Sequence, residues 1–155
     1  MAFGIRNGWK IMDIQKLKYV RPNVQVVYGE YPPNFDKIKA TFPMAGASTV
    51  YAYGERIFVP SGEEIEPEIL AHEMVHCERQ LSMGLAEWWD KYMADEQFRL
   101  AEEVLAHQVE YSFLRGLYPG ACRKKEILDH VAGKLSHPLY GSMCGMKRAR
   151  ELVKR

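Results

Sequence analysis

Cysteine is scarce in this chain: Cys77, Cys122 and Cys144 are its only three, and none stands in a Cys-x-x-Cys pair. An odd, scattered set excludes a disulfide framework and a thiolate zinc site, and it fits a reducing compartment. Long hydrophobic runs are lacking as well. No stretch approaches the roughly eighteen apolar residues of a membrane span, and the opening ten residues carry no apolar signal stretch, so a soluble cytosolic protein is expected. Charge of one sign is also missing. Twenty-one basic against twenty acidic residues leave +1, which excludes a whole-molecule basic field for nucleic acid or acidic lipid. The strongest local bias is Lys147, Arg148, Arg150, Lys154 and Arg155 opposed only by Glu151. It reads as the basic last turn of a helix, favoured by the macrodipole, with an RNA or membrane contact as the alternative. Internal repeats and low-complexity segments are absent. With 47% apolar and 26% charged residues over 155 positions, one globular domain is expected.

What is present divides into a strand-rich part, residues 1–62, and a helical part, residues 63–155. Val24 to Tyr28 is short and β-branched, and Gly29 closes it. Asn34 to Phe42 spaces Phe35, Ile38 and Phe42 as a short helix does. Thr49–Tyr53, the pair Gly54-Glu55 and Arg56–Val59 read as a β-hairpin. Gly at the first turn position suits a turn with positive φ there. Beyond Gly62 the period lengthens to about 3.6. Helices are expected near 67–82, 87–93, 96–117, 123–135 and 146–154, with Pro67 opening the first and Asp95 capping the third. In the long third helix the apolar stripe Phe98, Ala101, Leu105, Val109 and Phe113 is expected to face the core. Strands first and helices second give an α+β domain.

The chemistry concentrates in Ala71-His72-Glu73-Met74-Val75-His76. Histidines at i and i+4 share a helix face, so both imidazoles reach one metal ion, and Glu73 points at the water on that ion without ligating it. This is the HExxH motif of zinc peptidases, and chance alone predicts roughly 0.015 matches in a chain of this composition. A catalytic zinc site needs a third protein ligand. Glu102-Glu103-Val104-Leu105-Ala106-His107 offers one. Neighbouring helix positions lie about 100° apart, so Glu102 and Glu103 cannot both face the ion.

Here the chain resembles the gluzincins, whose third ligand is a glutamate on a second helix, often followed by an alanine three positions on. The resemblance assigns the ligand to Glu103, with Glu102 the runner-up. His107 departs from the aspartate many gluzincins carry, and it stands either beside the ligand imidazole or near the developing oxyanion. Trp88-Trp89-Asp90-Lys91-Tyr92 and Phe98-Arg99-Leu100-Ala101-Glu102-Glu103 extend the resemblance to small phage-encoded zinc metallopeptidase-like proteins, over about residues 60–140. It implies a minimal zincin-like domain holding Zn2+ through His72, His76 and Glu103, with Glu73 as general base. Tyr140 is the first choice for the oxyanion donor, ahead of His137, His130 and Tyr111. The strand Arg56–Val59 leads to the metal helix, and its edge is expected to pair with an extended peptide.

Several neighbours have plainer roles. Cys77 is turned about 100° from His76 and reads as a small buried hydrophobe. Gln80 shares the face of His72 and His76, and is either a cleft residue or a surface one. Trp88, Trp89 and Tyr92 read as core packing for the short helix rather than as a substrate wall. The expected activity is peptide-bond hydrolysis on a protein or peptide substrate, with a phage or host protein as partner and the host cytosol as setting. No nucleic-acid or membrane partner is expected. The alternatives are a metal-stabilised structural or adaptor protein, such as a virion component, and a protein-binding module.

Overall fold

A computed structural model of the chain describes residues 23–155; the strand-rich expectation for the residues before these lies outside the described part. The elements run β1 (Gln25–Tyr28), α1 (Phe35–Thr41), β2 (Tyr51–Tyr53), β3 (Arg56–Val59), α2 (Pro67–Met83), α3 (Leu85–Ala94), α4 (Glu96–Leu117), α5 (Ala121–Leu135), a 3₁₀ turn (Pro138–Tyr140) and α6 (Met146–Val153). This is the α+β order expected. No described helix is long and apolar enough to cross a membrane.

The sheet has the order β1-β3-β2, with β1 parallel and β2 antiparallel to β3. Gly54 takes φ +64° in the hairpin turn, a conformation that Gly adopts without steric cost. Because β3 is central, both of its edges are paired. The expectation that Arg56–Val59 offers a free edge is therefore corrected: the edge strands are β1 and β2. Ile57, Phe58 and Val59 are all buried, as a central strand covered on two faces requires. Ile57, Val59 and Ala52 pack on Leu70, Met74 and Cys77 of α2. Phe58 and Tyr51 face the other way, toward Ile38 of α1 and Trp88, Trp89 and Tyr92 of α3. Cys77 thus sits in the core as expected.

Pro67 stands in the first turn of α2, and Gly84, at φ +106°, ends it. Asp95 caps α4 by accepting from the Gln97 and Phe98 amides at 2.9 and 3.1 Å, a contribution of about 1 kcal/mol. Beyond α4 a second core forms from Tyr111, Leu114, Ile127, Val131, Leu135, Ala149 and Val153. Each such fully buried aliphatic side chain contributes about 1.5–3 kcal/mol.

The apolar stripe expected on α4 docks only at its ends, where Phe98 packs on the aromatic core and Phe113 is buried. Leu105 is 42% exposed and Ala101 is exposed too. The buried face carries Glu102, Glu103, Ala106, His107 and Glu110. These polar groups go inside because they meet partners on α2 and α3, and a buried charge is tolerated only when paired.

Candidate metal centre

α2 and α4 lie side by side and turn their polar stripes toward each other. His72 and His76, one turn apart on α2, bring their Nε2 atoms to 3.2 Å. Glu103 of α4 completes a triangle, with Oε2 3.5 Å from His72 Nε2 and Oε1 3.0 Å from His76 Nε2. All three side chains are buried. Donors bound at about 2.0–2.2 Å around a tetrahedral ion stand roughly 3.3–3.5 Å apart. The three separations therefore fit one divalent cation. Glu73, the carboxylate of the motif, is buried in the same cluster with Oε1 4.0 Å from His72 Nε2.

Glu110 was not singled out in the sequence, yet it organises the cluster. Its Oε2 lies 3.2 Å from His72 Nδ1 and 2.9 Å from His107 Nδ1. A carboxylate only accepts, so both Nδ1 atoms carry a proton, and in the neutral ring Nε2 is the atom left with a lone pair. For His72 that is the tautomer a metal ligand requires. The Lys134 ammonium donates to the other oxygen, Oε1. His107 is therefore not bonded to the ligand imidazole; it shares that imidazole's carboxylate and aims Nε2 at Glu103 Oε2, 3.5 Å away. Glu103 Oε2 and His107 Nε2 are both buried without a hydrogen-bond partner, as is His76 Nδ1. One signal could have exposed Glu110: Glu103, His107 and Glu110 recur at i, i+4 and i+7, which is one helix face.

The electrostatics point the same way. Burial opposes a charged His72, but Glu103 and Glu110 outweigh it and hold its pKa up to about 10. Burial also works against ionised Glu103 and Glu110. His76 and His72 nonetheless keep Glu103 well below the ordinary carboxylate range, and His107 and His72 do so for Glu110. Burial lowers His107, helped by the charge on His72. Glu73 differs from the other two carboxylates, since burial pushes it up against the pull of His72 and His76. A buried site with this much carboxylate recruits positive charge, and its carboxylates are split into ligand-like and base-like members.

Glu102 faces elsewhere. Its carboxylate takes two bonds from Arg79 Nε and one from Arg79 Nη2 at 2.8–3.1 Å, and a fourth from Trp88 Nε1 at 3.1 Å. It ties α2, α3 and α4 together, and the runner-up ligand is set aside on geometry. Tyr92 donates its hydroxyl to Glu103 Oε1 at 2.6 Å, so α3 also fixes the third ligand.

The cluster opens on a small cavity of about 50 Å³ whose walls come from α1, β2, α3 and the 3₁₀ turn. Trp88, Trp89 and Tyr92 are packed in the core as expected, and they also line this cavity. Tyr140 lines it too, with its backbone carbonyl held by Arg99 Nε at 3.2 Å. Burial and the nearby Glu103 and Glu73 charges raise the Tyr140 phenol well above its ordinary value, so it keeps its proton. The other oxyanion candidates lie away from the cavity. His137 is exposed and accepts from the Leu139 amide, Tyr111 belongs to the second core, and His130 is on α5, outside the lining. Gln80 is a buried cavity residue rather than a surface one. Its amide donates to Ala52 O at 3.0 Å and accepts from Gly54 N at 2.7 Å, which fastens the hairpin to α2.

Comparison with protein families, curated proteins and solved structures returns no match for this chain.

Proposed function

We propose that this chain is a zinc-dependent metallopeptidase of gluzincin type, acting on a protein or peptide. One observation carries the reading. His72, His76 and Glu103 offer three buried ligand atoms 3.0–3.5 Å apart, while Glu73 reaches the same cavity as a carboxylate not needed to hold the ion. A purely structural or adaptor site has no use for that extra carboxylate. Zinc held by the three residues supplies Lewis acidity toward a carbonyl and acidifies a water.

The chain's own groups do the rest. Glu73, raised by burial, accepts the proton of the attacking water and passes it to the leaving amine. The Tyr140 phenol, kept protonated, donates to the oxygen on which charge develops. Tyr92 and Glu110 hold Glu103 and His72 in place. An extended substrate would run beside Thr49 and Val50, which lead into β2 and border the cavity, short of the stretch where Gln80 already holds the Ala52 carbonyl and the Gly54 amide. Among the described residues no lysine or arginine lines the cavity, which favours an uncharged stretch of polypeptide over a free carboxylate terminus. The likeness to small phage-encoded metallopeptidases makes a phage or host protein the partner and the host cytosol the setting.

Glu73→Gln tests the reading. The variant should retain about one zinc per chain while cleavage of unfolded casein falls by about 10²–10⁴-fold, the range a general base supplies. Unchanged cleavage would remove Glu73 from the mechanism. Absence of bound zinc from the wild-type chain would remove the metal.

A further inference from the structure

The near-zero net charge hides a segregation. Residues 121–155 hold nine basic and three acidic side chains, whereas residues 23–120 hold seven basic and sixteen acidic. The basic share is carried by α5 and α6, which run antiparallel: Ser136 Oγ meets Met146 Sδ at 3.1 Å, and Asp129 Oδ1 accepts from Arg150 Nε at 2.6 Å. That register sets the start of α5 beside the end of α6. Arg123, Lys124 and Lys125 are therefore gathered with Arg150, Lys154 and Arg155 at one end of the helix pair.

Two features of this gathering oppose stability. Three cations occupy the first turns of α5, against its macrodipole, with no acidic residue in the first turn and no side-chain cap. A second row of cations is then packed beside them. The carboxylates at hand are Glu126, bonded to Arg123, Glu151 on α6, and Asp129, which bridges Lys125 at 3.0 Å to Arg150. Like charges collected at such a cost indicate an anionic partner outside the chain.

We propose that the α5–α6 face binds the phosphate backbone of double-stranded nucleic acid without sequence preference. The chemistry of the face selects this occupant. A membrane-binding helix needs an apolar side free to insert, but α6 buries Ala149 and Val153 in the second core. The exposed large hydrophobic residues, Tyr28, Tyr31, Met44, Leu81 and Leu105, all lie on other elements. A single strand is held by stacking its bases on aromatic rings. Residues 121–155 contain one aromatic, Tyr140, which lines the cavity instead. A duplex needs only fixed cations against one phosphate per about 1.7 Å of axis.

The test is fluorescence anisotropy of the full chain with a labelled 20-base-pair DNA of arbitrary sequence. About five phosphate contacts would weaken binding by a few hundred-fold between 50 and 200 mM salt. The exposed residues Arg123, Lys124, Lys154 and Arg155, each changed to Gln together, should cost at least tenfold in affinity at 50 mM salt and flatten the salt slope, with an unchanged thermal melt. No duplex binding at micromolar protein and 50 mM salt would overturn the proposal. So would equal binding by the fourfold variant, which would move the contact to residues outside this face. Tighter binding of the single strand, or binding of phosphatidylserine vesicles without the duplex, would overturn it too. The inference does not depend on the metal centre.

Discussion

Glu110→Gln is the substitution that separates a metal cluster from a merely buried polar one. Glutamine matches the size of the native side chain but removes its charge and turns one of its two acceptors into a donor. In the structure both oxygens are in use: Oε2 accepts from His72 Nδ1 and His107 Nδ1, and Oε1 accepts from Lys134. If the amide NH₂ replaces Oε1, it meets the Lys134 ammonium, donor against donor. If it replaces Oε2, it faces the two Nδ1 atoms and drives His72 to the tautomer with its proton on Nε2, which removes the lone pair aimed at the ion. Either orientation weakens metal binding. Loss of such an orienting carboxylate lowers affinity about 10–100-fold, or about 1.4–2.7 kcal/mol. Competition for zinc against a chromophoric chelator at pH 7.5 reads this directly, with circular dichroism confirming the fold. Lys134→Met combined with Glu110→Gln removes the first clash and should restore part of the loss. Zinc affinity within twofold of wild type in a folded Glu110→Gln protein would refute the assignment of Glu110 as the group that positions His72.

Other substitutions probe the surrounding frame. Glu103→Ala should abolish tight zinc binding, whereas Glu102→Ala should keep the zinc and lose stability with the Arg79 and Trp88 bonds; zinc titration showing the reverse order would move the ligand by one residue. Gln80→Met keeps the volume but strands the Ala52 carbonyl and the Gly54 amide, at a cost of about 2 kcal/mol that a shift in urea midpoint would reveal. Burial raises the Glu68 carboxyl to about 7 from its ordinary 4.5. The stability compatible with that buried acid is therefore complete below about pH 4.5 and is lost as pH rises through 7. Glu68→Gln should melt like wild type at pH 4 and several degrees higher at pH 8.5, by an effect on the order of 2 kcal/mol. Parallel melting curves at the two pH values would refute it.

Local signals were readable in the residues themselves. Gly54 placed the hairpin turn, Pro67 opened α2, and Asp95 marked the start of α4, because each acts on the backbone beside it. The spacing of His72 and His76 needs only one helix to have meaning, and so it was legible too. What depended on packing was not. The parallel pairing of β1 with β3 and the central place of β3 arise from contacts between distant segments. The middle of α4 departs from the expected stripe because hydrophobic periodicity assumes that apolar residues go inside. In α4 Leu105 was left at the surface and Glu102, Glu103 and Glu110 were buried, since their partners Arg79, Trp88, His72 and His76 stand on other helices. The exchange is invisible until α2 and α4 are set side by side.

The location of the cluster along the chain also sets the order of its assembly. Apart from Lys134, every side chain in it lies between residues 72 and 110, on three consecutive helices joined by turns of a residue or two. Closing so short a segment costs little entropy, and contacts this near in sequence form early in folding. Ribosomal synthesis releases this segment before α5 and α6 exist. The His–Glu pocket can therefore take shape on a partly made chain, before the second core is available to support it. The last helices then dock onto a preassembled centre, and Lys134 closes it from behind.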